Sequence, residues 1–587
     1  MNYNLNMAGE PEGKKKSAIL GLSSLVVNMV EEKKILIIAF AAMIITAILN
    51  LLGPVIIGRT VDLYVQTGNY HGLLVNSGIL LAMYIISLFA GYIQTKLMGT
   101  VGQRMLFTLR NSVFNKLQEL PVDFFNQNKA GDLISRLNND TDKVNQFFSQ
   151  SLMQFVRFIL IMIGAAIFLL SINFWLGLAA LSPAIFIFLF TNFISPWVRE
   201  KNRINLKSTG SLSSEVQESL NNFNVIIAFN RRDYFRKRFN KVNEENYTTS
   251  LKAGIANNLF MPVYTFFSNI GQLIVLCFGI YLIARGSFTI GLLISFLAYI
   301  ANFYNPLRQL ASLWSSFQIA LAGWERILVI LNMDNNMPVV EDGSPEISDP
   351  LLEFKKVSFS YPNGKQVLYN INFQLQIGKT YAFVGPTGGG KTTTANLIAR
   401  LYDPTKGTVL YKGRDIRSFS VRERTKTIGF ILQDSFLFTG TVKENILYGN
   451  EEYQDISNNE LSEVITSAGL GSLLDRFDTG LDTVVQFNGE GISLGQKQLI
   501  AFMRAVLRRP ELLVLDEATA NIDTVTEMQL EEILRRLPSQ TTKVIIAHRL
   551  NTIENADEIF FVDSGKVQRA GSLKDAMDLL LGGKTQS

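Results

Sequence analysis

The sequence predicts a multidomain membrane protein: a six-helix α transmembrane domain with long cytoplasmic helical extensions, followed by an α/β domain built on a phosphate-binding loop. Three observations predict it. Hydrophobic residues make up 48% of the 587 and charged residues only 18%, and the apolar excess lies before about residue 330. Lysine and arginine cluster in alternate segments between the apolar runs. A glycine-rich loop, GPTGGGKT at residues 385–392, follows one strand pattern and opens a helix pattern.

A bilayer core about 30 Å thick requires roughly 20 apolar helical residues. Residues 35–58, 73–95, 158–198, 253–284 and 286–307 contain no charged side chain. The third of these runs is long enough for two spans, with a turn at Ser171-Ile172-Asn173, so six helices are expected. Six such runs in half a chain are too many for the buried helices of a soluble core. The segments after spans two and four are rich in lysine and arginine, whereas the alternate loops hold only Arg59, none and Arg285. The positive-inside bias therefore puts both termini, both long loops and the α/β domain in the cytoplasm. The N-terminus is polar, with Lys14, Lys15 and Lys16, and no signal-peptide pattern is read near residue 1.

The long loops keep apolar residues at near-helical spacing over 101–120 and 133–148, so the membrane helices are expected to continue into the cytoplasm. Pro121 and Gly131 are expected to break the helix within LPVDFFNQNKAGDLISRLNND, residues 120–140. A similar short apolar piece, NNFNVIIAF, occupies residues 221–229. The single cysteine, Cys277, excludes an internal disulfide or cysteine metal site and reads as a buried apolar thiol.

In the second half, strands are expected at 352–357 and 379–384. The second runs into Gly385, Pro386, Thr387, Gly388, Gly389, Gly390, Lys391 and Thr392. Glycines let backbone N–H groups close around phosphate oxygens, and the following helix N-terminus favours an anion. Lys391 supplies a cation for the terminal phosphates, and the Thr392 hydroxyl can ligate Mg2+. The apolar strand ELLVLDEA ends in Asp516, placed to hold the Mg2+ shell, and Glu517, placed to polarise an attacking water. His548 follows a third strand, KVIIA, at the same sheet edge, which suits γ-phosphate contact. The other histidine, His71, falls in a predicted external loop and is read as incidental.

The phosphate loop, Gln433 in FILQDSFLF, GISLGQKQ at 491–498, LLVLDEA, ATANIDTVTE and AHRL occur in that order. This set resembles the ATPase domain of an ATP-binding-cassette transporter. The membrane half resembles the six-helix exporter type in LLGPVIIGRTVD, residues 51–62, and PVDFFNQNKAGDLISRLNNDTD. The resemblance runs from about Lys33 to Gly571 and implies four parts. These are an N-terminal segment at 1–32, a transmembrane domain at 33–330, a linker at 331–350 and an ATPase domain at 351–587.

It also implies roles in binding ATP and Mg2+. Tyr361 would stack on adenine, and the loop with Thr393 would hold the phosphates. Thr392, Gln433 and Asp516 would serve the metal. Gln433 would also reach the attacking water, Glu517 would be the general base and His548 would hold the γ-phosphate. Ser493, Gly495 and Gln496 would form the signature that closes on the partner's ATP, and Asp523 would lie at the dimer contact. The pieces around Val122–Ala130 and Asn221–Ala228 would be coupling helices. Only about 34 residues precede the first span, which argues against a preceding peptidase domain, since a domain needs at least about 50. Gly389 departs from the family's usual serine, with little expected loss because backbone amides do most of the cradling.

The resemblance further implies a dimer that exports small amphipathic molecules across the lipid bilayer, with no nucleic-acid partner. A lipid flippase and a non-transporting nucleotide sensor are the competing readings. Intact Glu517 and His548 count against the sensor. Leu494 stands where a glycine is expected, which weakens a signature serving the partner's site and favours a heterodimer. For the substrate, Tyr299, Asn302, Phe303, Tyr304 and Asn305, with Phe266, Phe267, Asn269 and Gln272, suit an apolar ligand with a few polar groups. Packing between spans explains the same residues as well. Arg157 begins span three. Snorkelling to the interface is the favoured reading, and a cavity position facing an anionic ligand is the other.

Overall fold

The computed structural model describes residues 3, 5, 32–335, 337, 339–341, 350–362, 364–433, 435–486, 489–516, 524–546, 553–571 and 573–582. The chain forms two compact units. One comprises Gly9–Gln118 and Ala130–Asn332, and the other Met1–Ala8, Glu119–Lys129 and Met333–Ser587.

In the first unit, six helical segments are long and apolar enough to cross a membrane: Lys33–Val65, Tyr70–Glu119, Ala130–Ile172, Phe174–Asn221, Arg232–Ala284 and Ile290–Leu331. The second has 50 residues, about 75 Å of helix, so it must run far beyond a ~30 Å hydrocarbon core. The expected turn between spans three and four is present. Asn173 is extended, and its side-chain oxygen accepts from the Leu176 N–H at 2.9 Å, capping the next helix.

The sequence stretch at 51–62 has a packing explanation. A Cβ on Gly58 would lie 2.5 Å from the Gly291 carbonyl oxygen, so glycine lets spans one and six touch backbone to backbone. Just beyond, Asp62 accepts from Thr289 Oγ1 at 2.5 Å and from the Gly291 N–H at 2.8 Å, satisfying the start of span six. Ser295 Oγ donates to the Pro54 carbonyl at 2.7 Å and the Tyr299 hydroxyl to that of Leu51 at 2.5 Å. Lower down, buried Asp140 takes a two-toothed grip from Arg326, at 2.7 Å from Nε and 2.6 Å from Nη2. Arg136 adds a bond to the Arg326 carbonyl at 2.9 Å. This charge-assisted cluster fixes the third span's extension to that of the sixth.

Several expectations change here. Tyr299 and Tyr304 are buried with their hydroxyls spent on the Leu51 and Ala180 carbonyls, so they pack helices together rather than offer ligand contacts. Cys277 is exposed on the fifth span, not buried. Lipid or a neighbouring apolar helix satisfies a thiol as well as a core does, so an apolar run does not imply burial within the chain. Gly131 does not break a helix: it sits in the first turn of Ala130–Ser135, and the break lies at extended Asn128. His71 is exposed at the start of span two.

The second unit has twelve strands among its described residues: β1 (Leu352–Ser360), β2 (Gln366–Leu375), β3 (Thr380–Val384), β4 (Lys406–Tyr411), β5 (Arg414–Asp415), β6 (Ile428–Ile431), β7 (Gly440–Thr441), β8 (Val484–Val485), β9 (Leu512–Asp516), β10 (Thr542–Ile546), β11 (Glu558–Asp563) and β12 (Lys566–Arg569). An antiparallel sheet runs β2-β1-β4-β5. The larger sheet runs β12-β11-β3-β10-β9-β6, parallel except for β12. β9 is buried throughout, as its continuous apolar run requires in a sheet covered on both faces. β3 and β9 flank β10, so the residues after β3 and at the end of β9 share one sheet edge.

The second unit also holds the short helix Val122–Gln127. Phe124 is fully buried there, and Asn126 Nδ2 donates to the Tyr402 hydroxyl at 2.7 Å. The N-terminal tip lies against the same helix. The Tyr3 N–H donates to Gln127 Oε1 and the Leu5 N–H to Asn128 Oδ1, each at 3.0 Å, and Tyr3 OH donates to the Asp334 carbonyl at 3.1 Å. The Tyr3 ring meets Phe124 edge-on.

Candidate nucleotide site

The loop after β3 is bent by glycines. Gly388 and Gly390 have φ of +82° and +115°, a region L side chains rarely enter. The helix Lys391–Ile398 begins directly after Gly390, so its first N–H groups face the loop. Lys391 is buried, and its Nζ donates to the Gly385 and Pro386 carbonyls at 2.8 and 3.0 Å. The cation is thus folded back over the loop.

At Gly389 the structure is stricter than expected. A Cβ there would lie 2.5 Å from the Val562 carbonyl oxygen, and the Gly565 N–H donates to the Gly389 carbonyl at 3.0 Å. β11 and its turn press on the loop, so a serine at 389 would require that backbone to shift.

Thr392 Oγ1 lies 3.4 Å from Oδ1 of buried Asp516, at the end of β9. Gln433 is exposed two residues past the end of β6, next but one to β10 in the sheet. A hydroxyl, a carboxylate and an amide oxygen are hard donors that suit Mg2+, which keeps several waters and phosphate oxygens as its other ligands. Among the described residues no group of three or more His, Cys, Asp or Glu side chains could hold a metal. Thr392, Asp516 and Gln433 together offer a donor set that fits a magnesium arriving with a nucleotide.

Tyr361 stands half-buried after β1 with its hydroxyl 3.2 Å from Thr393 Oγ1. Its ring meets Phe359 and Tyr402 edge-on, at centroid distances of 4.9 and 5.4 Å. A continuous path thus joins Asn126, Tyr402, Tyr361 and Thr393. Burial pushes the Tyr402 phenol above its ordinary pKa, opposed by its bond from Asn126, so it stays protonated. Sequence reasoning missed Tyr402 and Asn126. They are 276 positions apart, and neither stands in a pattern that announces a partner.

The stretch GISLGQKQ forms a helix start. Ser493 caps Leu494–Val506, its Oγ accepting from the Gln496 N–H, while Gln496 Oε1 accepts from the Ser493 N–H. Leu494 is the first helical residue and 49% exposed. Glu517, Asp523 and His548 lie outside the described residues.

Six apolar helices joined to a doubly flanked parallel sheet with this loop define a membrane-embedded P-loop ATPase. Residues 36–307 match the ABC transporter transmembrane region and residues 368–520 the ABC transporter family. An uncharacterised ABC transporter ATP-binding protein, YfiC, of Bacillus subtilis (strain 168) is 36% identical over 93% of this chain and 90% of its own length. A fatty acid ABC transporter ATP-binding/permease protein of Mycobacterium bovis is 34% identical over 84% of this chain and 77% of its own. An ATP-dependent lipid A-core flippase of Syntrophus aciditrophicus is 33% identical over 84% of this chain and 82% of its own length.

The chain belongs to the ABC transporter family, with a membrane domain and an ATPase domain fused in the exporter manner. It is a multi-pass membrane protein that binds ATP and couples its hydrolysis to transport across a membrane. That architecture implies assembly as a dimer.

Proposed function

We propose that this chain is one half of a heterodimeric exporter that moves amphipathic small molecules out across the cytoplasmic membrane. The parts would be those expected from the sequence, with the spans at 33–330 and the ATPase domain at 351–587, and both termini in the cytoplasm. The observation that carries the reading is the Lys391–Thr392–Asp516 arrangement on a chain with six apolar spans. The fatty acid transporter and the lipid A-core flippase among its relatives support an amphipathic cargo. The flippase relative also keeps lipid translocation as a second reading.

In this reading Lys391 and the loop N–H groups bind the phosphates, and Tyr361 stacks on the adenine. Thr392, Asp516 and Gln433 hold Mg2+, which neutralises phosphate charge when bound. Glu517 takes the proton of the attacking water and His548 holds the γ-phosphate. Ser493 and Gly495 offer backbone N–H groups to the partner's nucleotide, with Gln496 bracing that turn, and Asp523 lies at the dimer contact. Leu494 projects from this same surface, where a side chain limits close approach. A heterodimer confines that defect to one of two sites, so this chain would supply the active base.

The test uses proteoliposomes containing this chain alone or with its candidate partner. The mixed assembly should hydrolyse ATP and move a labelled amphiphile. Lys391→Ala should remove at least about 100-fold of the turnover at this chain's own site, as losing a main charge partner of the phosphates does. Glu517→Gln should remove nearly all hydrolysis. Full activity from this chain alone would refute the heterodimer, and near-normal turnover of Lys391→Ala in an assembly with no other active site would refute the site.

A further inference from the structure

The first residues of a domain stay loose unless contacts tie them down. In this chain contacts do. Tyr3 is 2% exposed and Leu5 8%, and both belong to the unit that holds the helix Val122–Gln127. Asn2, Asn4 and Asn6 alternate with them, a period of two that sets Tyr3 and Leu5 on one face of the tip.

Side-chain amides at the end of the helix pair with the backbone of the tip. The Leu5 N–H donates to Asn128 Oδ1 at 3.0 Å, and Asn128 Nδ2 donates back to the Tyr3 carbonyl at 2.9 Å. A primary amide carries donor and acceptor side by side, so it can stand in for the edge of a strand. Asn128 Nδ2 also donates to the Phe124 carbonyl at 2.7 Å, which closes the helix end. Gln127 accepts from the Tyr3 N–H at 3.0 Å and donates to Asp123 Oδ2 at 2.9 Å. Both N–H groups and the carbonyl between them are thereby satisfied.

The Tyr3 ring adds an anchor with two ends, one apolar and one polar. It meets fully buried Phe124 edge-on at 6.2 Å, and its hydroxyl donates to the Asp334 carbonyl at 3.1 Å. Asp334 and Asn335 follow the end of span six, and Asn335 Nδ2 donates to the Glu119 carbonyl at 2.9 Å. Each of these contacts falls on the helix, its flanks or the segment after span six, and none on a strand. The same helix reaches the nucleotide loop through Asn126 and Tyr402. The tip therefore fastens the element that stands between the spans and the ATP site.

We propose that the Phe124–Gln127–Asn128 face is a peptide site filled by the chain's own N-terminal tip, a strap that keeps the helix seated and so sets how much transport each ATP drives. This goes beyond the exporter reading and rests on it for the coupling role of the helix.

The test uses the full assembly in inside-out proteoliposomes, with Tyr3→Ala, Tyr3→Phe and a chain lacking residues 2–5. Tyr3→Ala and the truncation should each lower the labelled amphiphile moved per ATP by about fivefold. ATP turnover at saturating nucleotide should change by less than about twofold, because the tip does not touch Lys391, Thr392 or Asp516. Amide hydrogen exchange over 122–128 should quicken by roughly tenfold. Tyr3→Phe keeps the ring and should lose about twofold in transport per ATP. A tethered tip sits near its site at an effective concentration of about 1 mM, so a free peptide of residues 1–8 at that concentration should restore the truncated chain. The same peptide with Tyr3→Ala should not. Unchanged exchange on truncation overturns the proposal. So does faster exchange with transport per ATP unchanged, which would make the tip packing alone, and so does equal rescue by the two peptides. An intact assembly that moves no amphiphile would remove the exporter reading, while faster exchange reversed by the peptide would still support the strap.

Discussion

The two short helices in the long loops differ in what covers them. Val122–Gln127 shares a compact unit with the α/β sheets, and Phe124 is fully buried there. Phe223–Ala228 buries only Ile226, leaving Val225 54% and Phe229 74% exposed, with Ile227 exposed between them. Both are six residues long, and the more exposed one, FNVIIA, is the more apolar when set beside VDFFNQ, so composition does not explain the difference. A cluster of large apolar side chains bare to water marks an interaction surface. In a protein that assembles as a dimer, the first helix is an internal contact and the second is the one a second chain should cover.

That contrast can be broken, starting with the largest effect. Phe124→Ala should weaken docking of the first helix by about 3–5 kcal/mol, the usual cost of emptying a core aromatic site. The readout is a lower thermal midpoint of the ATPase unit within the full chain. Phe229→Ala should leave that midpoint of the isolated chain nearly unchanged. Equal shifts would erase the distinction. Val225→Asp places a charge on the exposed face and should lower transport per ATP hydrolysed by roughly tenfold, about 1.4 kcal/mol of coupling. Unchanged stoichiometry would show that this face does not couple.

Asn126→Ala and Tyr402→Phe should each raise the apparent KM for ATP by roughly fivefold, the worth of about 1 kcal/mol for one hydrogen bond. Their double mutant should be no worse than either, because both remove the same bond. Additive losses would mean that the path from the helix to Tyr361 is not continuous.

The smallest effect concerns pH. Burial raises the Asp123 carboxyl above its ordinary value, and the bond from Gln127 offsets only part of that. A raised acid pKa in the folded state means that the protonated form docks best. The stabilisation is full below the unfolded pKa and is lost as pH rises through the folded one. Asp123→Asn should flatten that slope and be slightly more stable at neutral pH, as followed by thermal midpoint against pH. An unchanged slope would place the titrating group elsewhere.

How much of this was legible follows from the kind of signal each part leaves. The spans and the phosphate loop announce themselves locally, as runs without charge and as glycines followed by Lys391 and Thr392. The bends at Asn173 and Pro121 did so as well. Orientation within the membrane did not. A span is apolar on every side, so periodicity cannot tell a packed face from a lipid face: Cys277 was misread for that reason, and Tyr299 and Tyr304 stood open between ligand contact and packing. The dockings of Tyr3 on Gln127 and Asn126 on Tyr402 rest on contacts between residues more than a hundred positions apart. Such contacts have no sequence period. The tightness at Gly389 likewise depends on Val562, which arrives from β11.

The central claim is that one short helix is covered by its own chain and the other by a second. It is tested most directly by site-directed cross-linking in a Cys277→Ser background. Asn126→Cys paired with Tyr402→Cys should cross-link within one chain, leaving its mass on a denaturing gel unchanged and its mobility altered. Val225→Cys carrying a thiol-attached photoreactive cross-linker should instead join this chain to the ATPase domain of the second, giving a band at the mass of two chains that forms only when the partner is present. A Val225→Cys cross-link formed within a single chain, or a two-chain band from the Asn126–Tyr402 pair, would contradict the account.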